Sequence, residues 1–170
     1  MLRTRIGLTL LTAALLAGGC GGGDKKDDAK IETKADFIAA ADKICVARDA
    51  RSRQLARESG TDVGRLSRQL AIAYEDAISK VEALALPPGT ARAGAQKYVL
   101  SVRAMRRPVE RMKTTAADVE NADDVTKLKA AGAQLQINVN TVQALSDVAD
   151  QNARTYGMKS CGQQQSLPVT

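Results

Sequence analysis

Apolar residues along this chain return every three to four positions over most of its length, the period of an amphipathic helix rather than of a strand. Thr33, with Asp36 three positions on, makes a capping-box start, and Ser59-Gly60-Thr61 offers a stop and a new cap, which predicts a first helix near 34–58. From Val63 the stripe continues through Leu66, Leu70, Tyr74, Ala77 or Ile78, Val81 and Leu84 until Pro87-Pro88-Gly89 ends it. A third stripe runs Ala91, Ala95, Tyr98, Val102, Met105, Val109, Met112, Ala116 in heptad spacing. Only Pro108 interrupts it; its ring opposes the carbonyl of Ala104 and predicts a kink. The fourth helix is expected after Asn121, with Asp124 as the reciprocal cap and Asp123 facing the positive end of the dipole. Its seam is Val125, Leu128, Ala131, Leu135, Val142, Leu145 and Ala149, and Gly157 is its C-terminal cap. No strand alternation or hairpin signal is found. The predicted fold class is all-α, an up-down-up-down antiparallel four-helix bundle over residues 34–161, with helix three kinked at Pro108.

Composition narrows the chemistry. The chain has 170 residues, a length that fits one domain, and 44% of them are apolar. Of these, 29 are Ala, so the core is built from small side chains that suit close-packed helices. There is no His and no Trp. Without histidine the Ser-His-Asp and Cys-His machineries, the HExxH zinc site and the Glu-x-x-His di-iron site are excluded. No cofactor, metal or catalytic residue is assigned. Glu75, Asp76 and Glu82 fit the outer face of an amphipathic helix better than acid–base catalysis. Asp118, Glu120, Asp123 and Asp124 lack the glycine and closing glutamate of a calcium loop, and helix capping explains them better. Met105 and Met112 lie on the seam as core fillers.

The first twenty residues read MLRTRIGLTLLTAALLAGGC: two arginines, an apolar run from Ile6 to Ala17, then two glycines and Cys20. This is the layout of a secretory signal peptide, too short to cross the ~30 Å hydrocarbon core as a permanent helix. Leu16-Ala17-Gly18-Gly19-Cys20 resembles the lipobox of bacterial lipoproteins, with Ala17 where that family prefers Leu. The resemblance implies a signal peptide at 1–19, cleavage before Cys20, and diacylglycerol on its sulfur; the alternative is an ordinary signal peptide cut nearby. Two or three acyl chains hold a protein firmly to a membrane. Residues 20–33, glycine-rich and then charged, read as a lipidated flexible tether, and 162–170 as a flexible tail. Loss of Arg3 and Arg5 leaves 23 basic and 19 acidic residues, a net of +4. That charge favours anionic surfaces only weakly.

Lipidation of Cys20 leaves Cys45 and Cys161, which in an exported chain are most simply read as one disulfide, two free buried thiols being the alternative. At about 1.5 Å per residue, however, a fourth helix starting level with the end of the first passes Cys45 near Asn138. Either that helix is displaced, with the segments around Pro108 and Val125 projecting past the first hairpin, or it breaks early and the tail folds back.

Two arginine groups are the remaining candidates, around Arg48 and Arg51 at the first turn and at Arg103, Arg106, Arg107 and Arg111 in helix three. In an antiparallel bundle they are expected at one end, away from the tether. One reading is an anion-binding surface of Arg48, Arg51, Arg103, Arg106 and Arg107, since the arginine fork suits phosphate oxygens. The other is a solvated face, with Ala47 and Ala50 taking over the first helix's seam and nearby carboxylates neutralising the charge. Nucleic acid is disfavoured, as four aromatics make no stacking row. Beyond the lipobox, DFIAAADKIC from Asp36 and YGMKSC from Tyr156 resemble small uncharacterised helical lipoproteins of high-GC Gram-positive bacteria. The expectation is a non-catalytic, lipid-anchored interaction module on the extracytoplasmic face of the cell membrane, or of the outer membrane in a Gram-negative host. Its partners are the membrane, through the lipid, and an envelope protein; the alternative is an anionic, phosphate-rich envelope ligand.

Overall fold

A computed structural model describes residues 30–163. The segment read as a signal peptide, Cys20, most of the segment read as a tether and the residues from 164 onward lie outside the described residues. Within them every element is a helix: α1 Lys34–Glu58, α2 Val63–Glu82, α3 Ala91–Ala104, α4 Arg106–Glu120 and α5 Val125–Tyr156.

The helix ends follow from local hydrogen bonding. At the start of α1 the Thr33 side chain accepts the Asp36 amide and Asp36 accepts the Thr33 amide, a complete capping box. These bonds from Thr33, side chain first, hold the Asp36 carboxyl below the usual carboxylate range. Asp62, not Thr61, caps α2, accepting the Arg65 amide at 2.9 Å. Asp124 is itself the cap of α5, accepting from Thr126 and Lys127, while Asn121 closes α4. Gly157 ends α5 in the left-handed conformation at φ 101°, a region costly for residues with a Cβ. The third stripe is divided into two helices: Met105 lies between them and its amide bonds Val102 in a tightened turn. Pro108 is the third residue of α4, where its missing amide has no partner to lose inside that helix.

The core follows the stripes. Ala95, Tyr98, Val102, Met105, Val109, Met112 and Ala116 are all buried, as are Leu66, Leu70, Tyr74, Ile78 and Val81 of α2. The neighbours of α2 are α1, α3 and α4, and α5 packs on α3 and α4. Gly64 brings α2 close to α4, since a Cβ there would stand 3.3 Å from the Ala116 carbonyl and 3.2 Å from Val119. Contacts run in opposite order along neighbours: from α2, Arg68 meets Glu120, Glu75 meets Lys113 and Glu82 meets Arg103 and Arg106. Along α5, Asn138 donates to Thr115 at 3.0 Å, while Tyr156 lies against Gly94.

The expected seam of α5 needs correction at its start. Val125 and Leu128 are 64% and 45% exposed, and the first buried residue is Leu135. The cysteine spacing called for either a displaced helix or an early break with a fold-back; α5 does not break early but stays helical to Tyr156, and the segment after Gly157 returns to α1. No Cα of α1 comes within 8 Å of a Cα of α5. The two are joined instead through side chains and that returning segment. Cys45 and Cys161 form a disulfide across 5.2 Å between Cα atoms, and the Asp42 carboxylate accepts the amides of Lys159, Ser160 and Cys161 at 2.8–3.0 Å.

The bond closes a loop spanning 116 positions. Replacing both cysteines, Cys45→Ser with Cys161→Ser, is expected to lower the unfolding free energy by about 3 to 5 kcal/mol. Urea denaturation of both proteins without reductant measures this, and a loss below about 1 kcal/mol would contradict the assigned role.

Candidate functional site

The polar groups buried in this bundle gather where α1 faces α5. Continuing from Phe37, Ala41 and Cys45, the inner face of α1 reaches Asp49, which is 6% exposed, and brings Arg48 in with it. The Arg48 side chain is only 10% exposed and makes two bonds to one Asp49 oxygen, from Nε at 2.9 Å and from a terminal nitrogen at 2.8 Å. Its guanidinium lies 5.2 Å from the centre of the Tyr74 ring, within cation–π range. Tyr74 is hydrogen-bonded to the Ser146 side chain of α5, and Asp150, one turn further along α5, completes the cluster. Tyr98 of α3 directs its hydroxyl towards Cys45 Sγ, 3.6 Å away. Ala47 and Ala50 are exposed, so they do not take over the seam.

Arg48 thus faces two carboxylates, Asp49 and Asp150, in a dry setting. The Asp150 carboxyl is perturbed by this burial. Burial pushes its carboxyl up to about 6, with Arg48 and Arg154 acting against the rise and Asp147 and Asp49 adding to it. Burial likewise raises Tyr74 and Tyr98, so both phenols stay protonated. The enclosed space bounded by Arg48, Tyr74, Tyr98, Met105 and Asp150 is about 20 Å³, room for a single water. Around this space the polar groups of α1, α2 and α5 meet.

The five arginines singled out in the sequence fall into separate environments. Arg48 is inside the bundle. Arg51 is half-exposed on α1, with Glu58 at 3.9 Å. Arg103 and Arg106 both bind Glu82 at the far end of α2 from the α1–α2 turn, Arg103 at 2.7 Å. Burial alone would raise Glu82, but Arg106 and then Arg103 hold its carboxyl below the usual range. Arg107 is exposed, and with Arg111 one turn on it lines a groove between α4 and α5. The expected gathering at one end is not what the packing produces, because Glu82 draws Arg103 and Arg106 to the opposite end of α2.

Asp150 was not singled out by sequence reasoning, Tyr74 and Tyr98 were read there only as stripe positions, and Asp49 was among the nearby carboxylates expected to neutralise the arginines. A signal was present for Asp150, which adjoins the α5 seam positions Ala149 and Ala153, where an acidic residue is out of place. Among the described residues there is no group of three or more His, Cys, Asp or Glu side chains placed to hold a metal, and no helix long and apolar enough to cross a membrane.

The cluster has a sign-definite pH signature. An acid held at about 6 in the fold, against 3.8 when free, keeps a proton that the unfolded chain releases between pH 4 and 6, so its contribution to stability falls as pH rises through that window. Asp150→Asn is expected to gain about 2 to 3 kcal/mol on the native protein in unfolding free energy between pH 4 and pH 7. Urea curves at both pH values test this, and a difference that does not change with pH would contradict it. No protein family matches the chain, and no curated protein or solved structure is detectably similar to it.

Proposed function

We propose that this chain is a lipid-anchored, extracytoplasmic module of the cell envelope that works by contact with another molecule rather than by catalysis. The observation that carries the reading is the Cys45–Cys161 bond: it belongs to an oxidising compartment and leaves Cys20, at the end of a lipobox-like segment, as the one cysteine available for lipid. The anchor would be Cys20, the membrane the first partner, and a protein of the envelope the second. Support for a protein partner comes from the projecting end of α5, where half-exposed Val63 and Leu128 open onto a groove floored by Leu135 and Val139.

The proposed architecture is an up-down-up-down bundle in which α3 and α4 together form one arm bent near Pro108. The opposed order of the contacts from α2 to α3 and α4, and from α5 to the same pair, supports it. Capture of an anionic envelope ligand is a second reading, favoured by one observation: Arg107 and Arg111 sit one turn apart in a groove, and among the described residues no carboxylate is within ion-pair distance of either.

The anchor is directly testable. In cells that process lipoproteins, the full chain is expected to incorporate labelled palmitate and to sediment with membranes, and Cys20→Ser to lose both properties. Unchanged labelling of the Cys20→Ser protein would sink the reading.

A further inference from the structure

The ion pairs of α4 are unevenly distributed. On the side facing α2, Arg106 is bound to Glu82 and Lys113 to Glu75 at 2.5 and 2.7 Å. On the side facing α5, Arg107 and Arg111 are exposed, and among the described residues neither has a carboxylate within 4.0 Å. They are four positions apart, so their guanidinium groups project from one face of α4, one turn from each other. The groove they line is open to solvent, with a volume of about 540 Å³.

Its opposite wall is of different chemistry. From Ala130 to Ser146 α5 carries no charged residue at all, and it presents the amides of Gln134 and Asn138 to the groove. Asn138 is buried, and its amide nitrogen is fixed by the bond to Thr115, so this wall is held in place. Glu110 stands between the two arginines on the α4 wall, beside Thr114, whose hydroxyl bonds the Glu110 carbonyl.

We propose that the α4–α5 groove binds a phosphorylated polyol, its phosphate bracketed by Arg107 and Arg111 and its hydroxyls met by Glu110, Gln134 and Thr114. This rests on the anion-capture reading and makes it specific. Two planar forks one turn apart offer more donors than a carboxylate can accept, and they match the several oxygens and higher charge of a phosphate. Glu110 repels a bare anion but accepts hydrogen bonds from hydroxyl groups, and a primary amide both donates and accepts. The groove therefore rewards a ligand carrying both kinds of group over inorganic phosphate or an uncharged sugar.

The test is calorimetric titration of the full chain with glucose 6-phosphate, glycerophosphoinositol, inorganic phosphate and glucose. One of the two phosphorylated polyols is expected to bind about fivefold or more tighter than inorganic phosphate, and glucose not to bind. A preference for glucose 6-phosphate assigns a free phosphate monoester, and a preference for glycerophosphoinositol a lipid headgroup. Arg107→Gln with Arg111→Gln should weaken binding about tenfold or more. Arg53→Gln with Arg57→Gln, which removes the same charge from an exposed face of α1, should leave it unchanged. If inorganic phosphate binds as tightly as both polyols and depends on Arg107 and Arg111, the polyol assignment falls while anion capture stands. If nothing binds, or both double variants weaken binding alike, both fall.

Discussion

The gap between α1 and α5 governs the rest of the structure. Elsewhere the helices close on small residues, with Ala71, Ala95, Ala116, Ala149 and Ala153 buried and Gly64 seated against α4. No such approach occurs between α1 and α5, and a gap wider than an alanine interface must be filled or it becomes a cavity. The chain fills it with its largest side chains. All four aromatics are here: Phe37 meets Tyr98 and Tyr156 edge to face at 6.5 and 5.8 Å, Arg48 stacks on Tyr74, and Lys34 lies 4.7 Å from the centre of the Tyr156 ring. The disulfide and the three amides held by Asp42 close the same gap at its end.

Filling a gap with amphipathic side chains brings their polar ends inside, and each polar end then needs a partner. Arg48 is satisfied by Asp49, Tyr74 by Ser146, and Tyr98 faces the Cys45 sulfur. The Tyr156 hydroxyl finds no partner among the described residues, and burial raises the Asp150 carboxyl. A buried pair of this kind adds little stability over a well-packed apolar filling, yet it fits only one relative placement of α1, α2 and α5. The cluster and the disulfide therefore act on the same degree of freedom, one by polar complementarity and the other by a covalent bond.

How much of this was legible in the sequence depended on whether a signal was local. The capping box at Thr33 and Asp36, the left-handed Gly157 and the stripe from Ala95 to Ala116 are fixed by neighbours in sequence and could be read there. The caps at Asp62 and Asp124 were each displaced from the expected residue: Thr61 and Asp62 are adjacent side chains of equal aptitude, and Asn121, expected to open the last helix, instead closes α4. The burial of Val125 and Leu128 was misjudged because a stripe shows that a face is apolar and not whether a neighbour is long enough to cover it. Arg48 was named among the candidates, with the seam left open between it and Ala47 with Ala50. The choice rests on the adjacent Asp49 together with Tyr74 and Asp150, more than twenty positions away.

The C-terminal end and the middle of α5 are held by different means, and this fixes what the helix presents. At its C-terminal end the returning segment ties it to α1 through Cys161, and in its middle the Asn138–Thr115 bond ties it to α4. With both ties made, α5 cannot slide along its axis by one turn, about 5.4 Å, without breaking a covalent bond or stranding a buried amide. Gln134 is one turn before Asn138, so its place along the groove it shares with Arg107 and Arg111 is set by the same two ties. Shifted by a turn towards its own N-terminus, the helix would place Asn138 where Gln134 now stands and carry the buried Leu135 out towards its projecting end. The length of α5 beyond the first hairpin and the composition of the α4–α5 groove are thus consequences of one register, chosen at the other end of the molecule by Cys45.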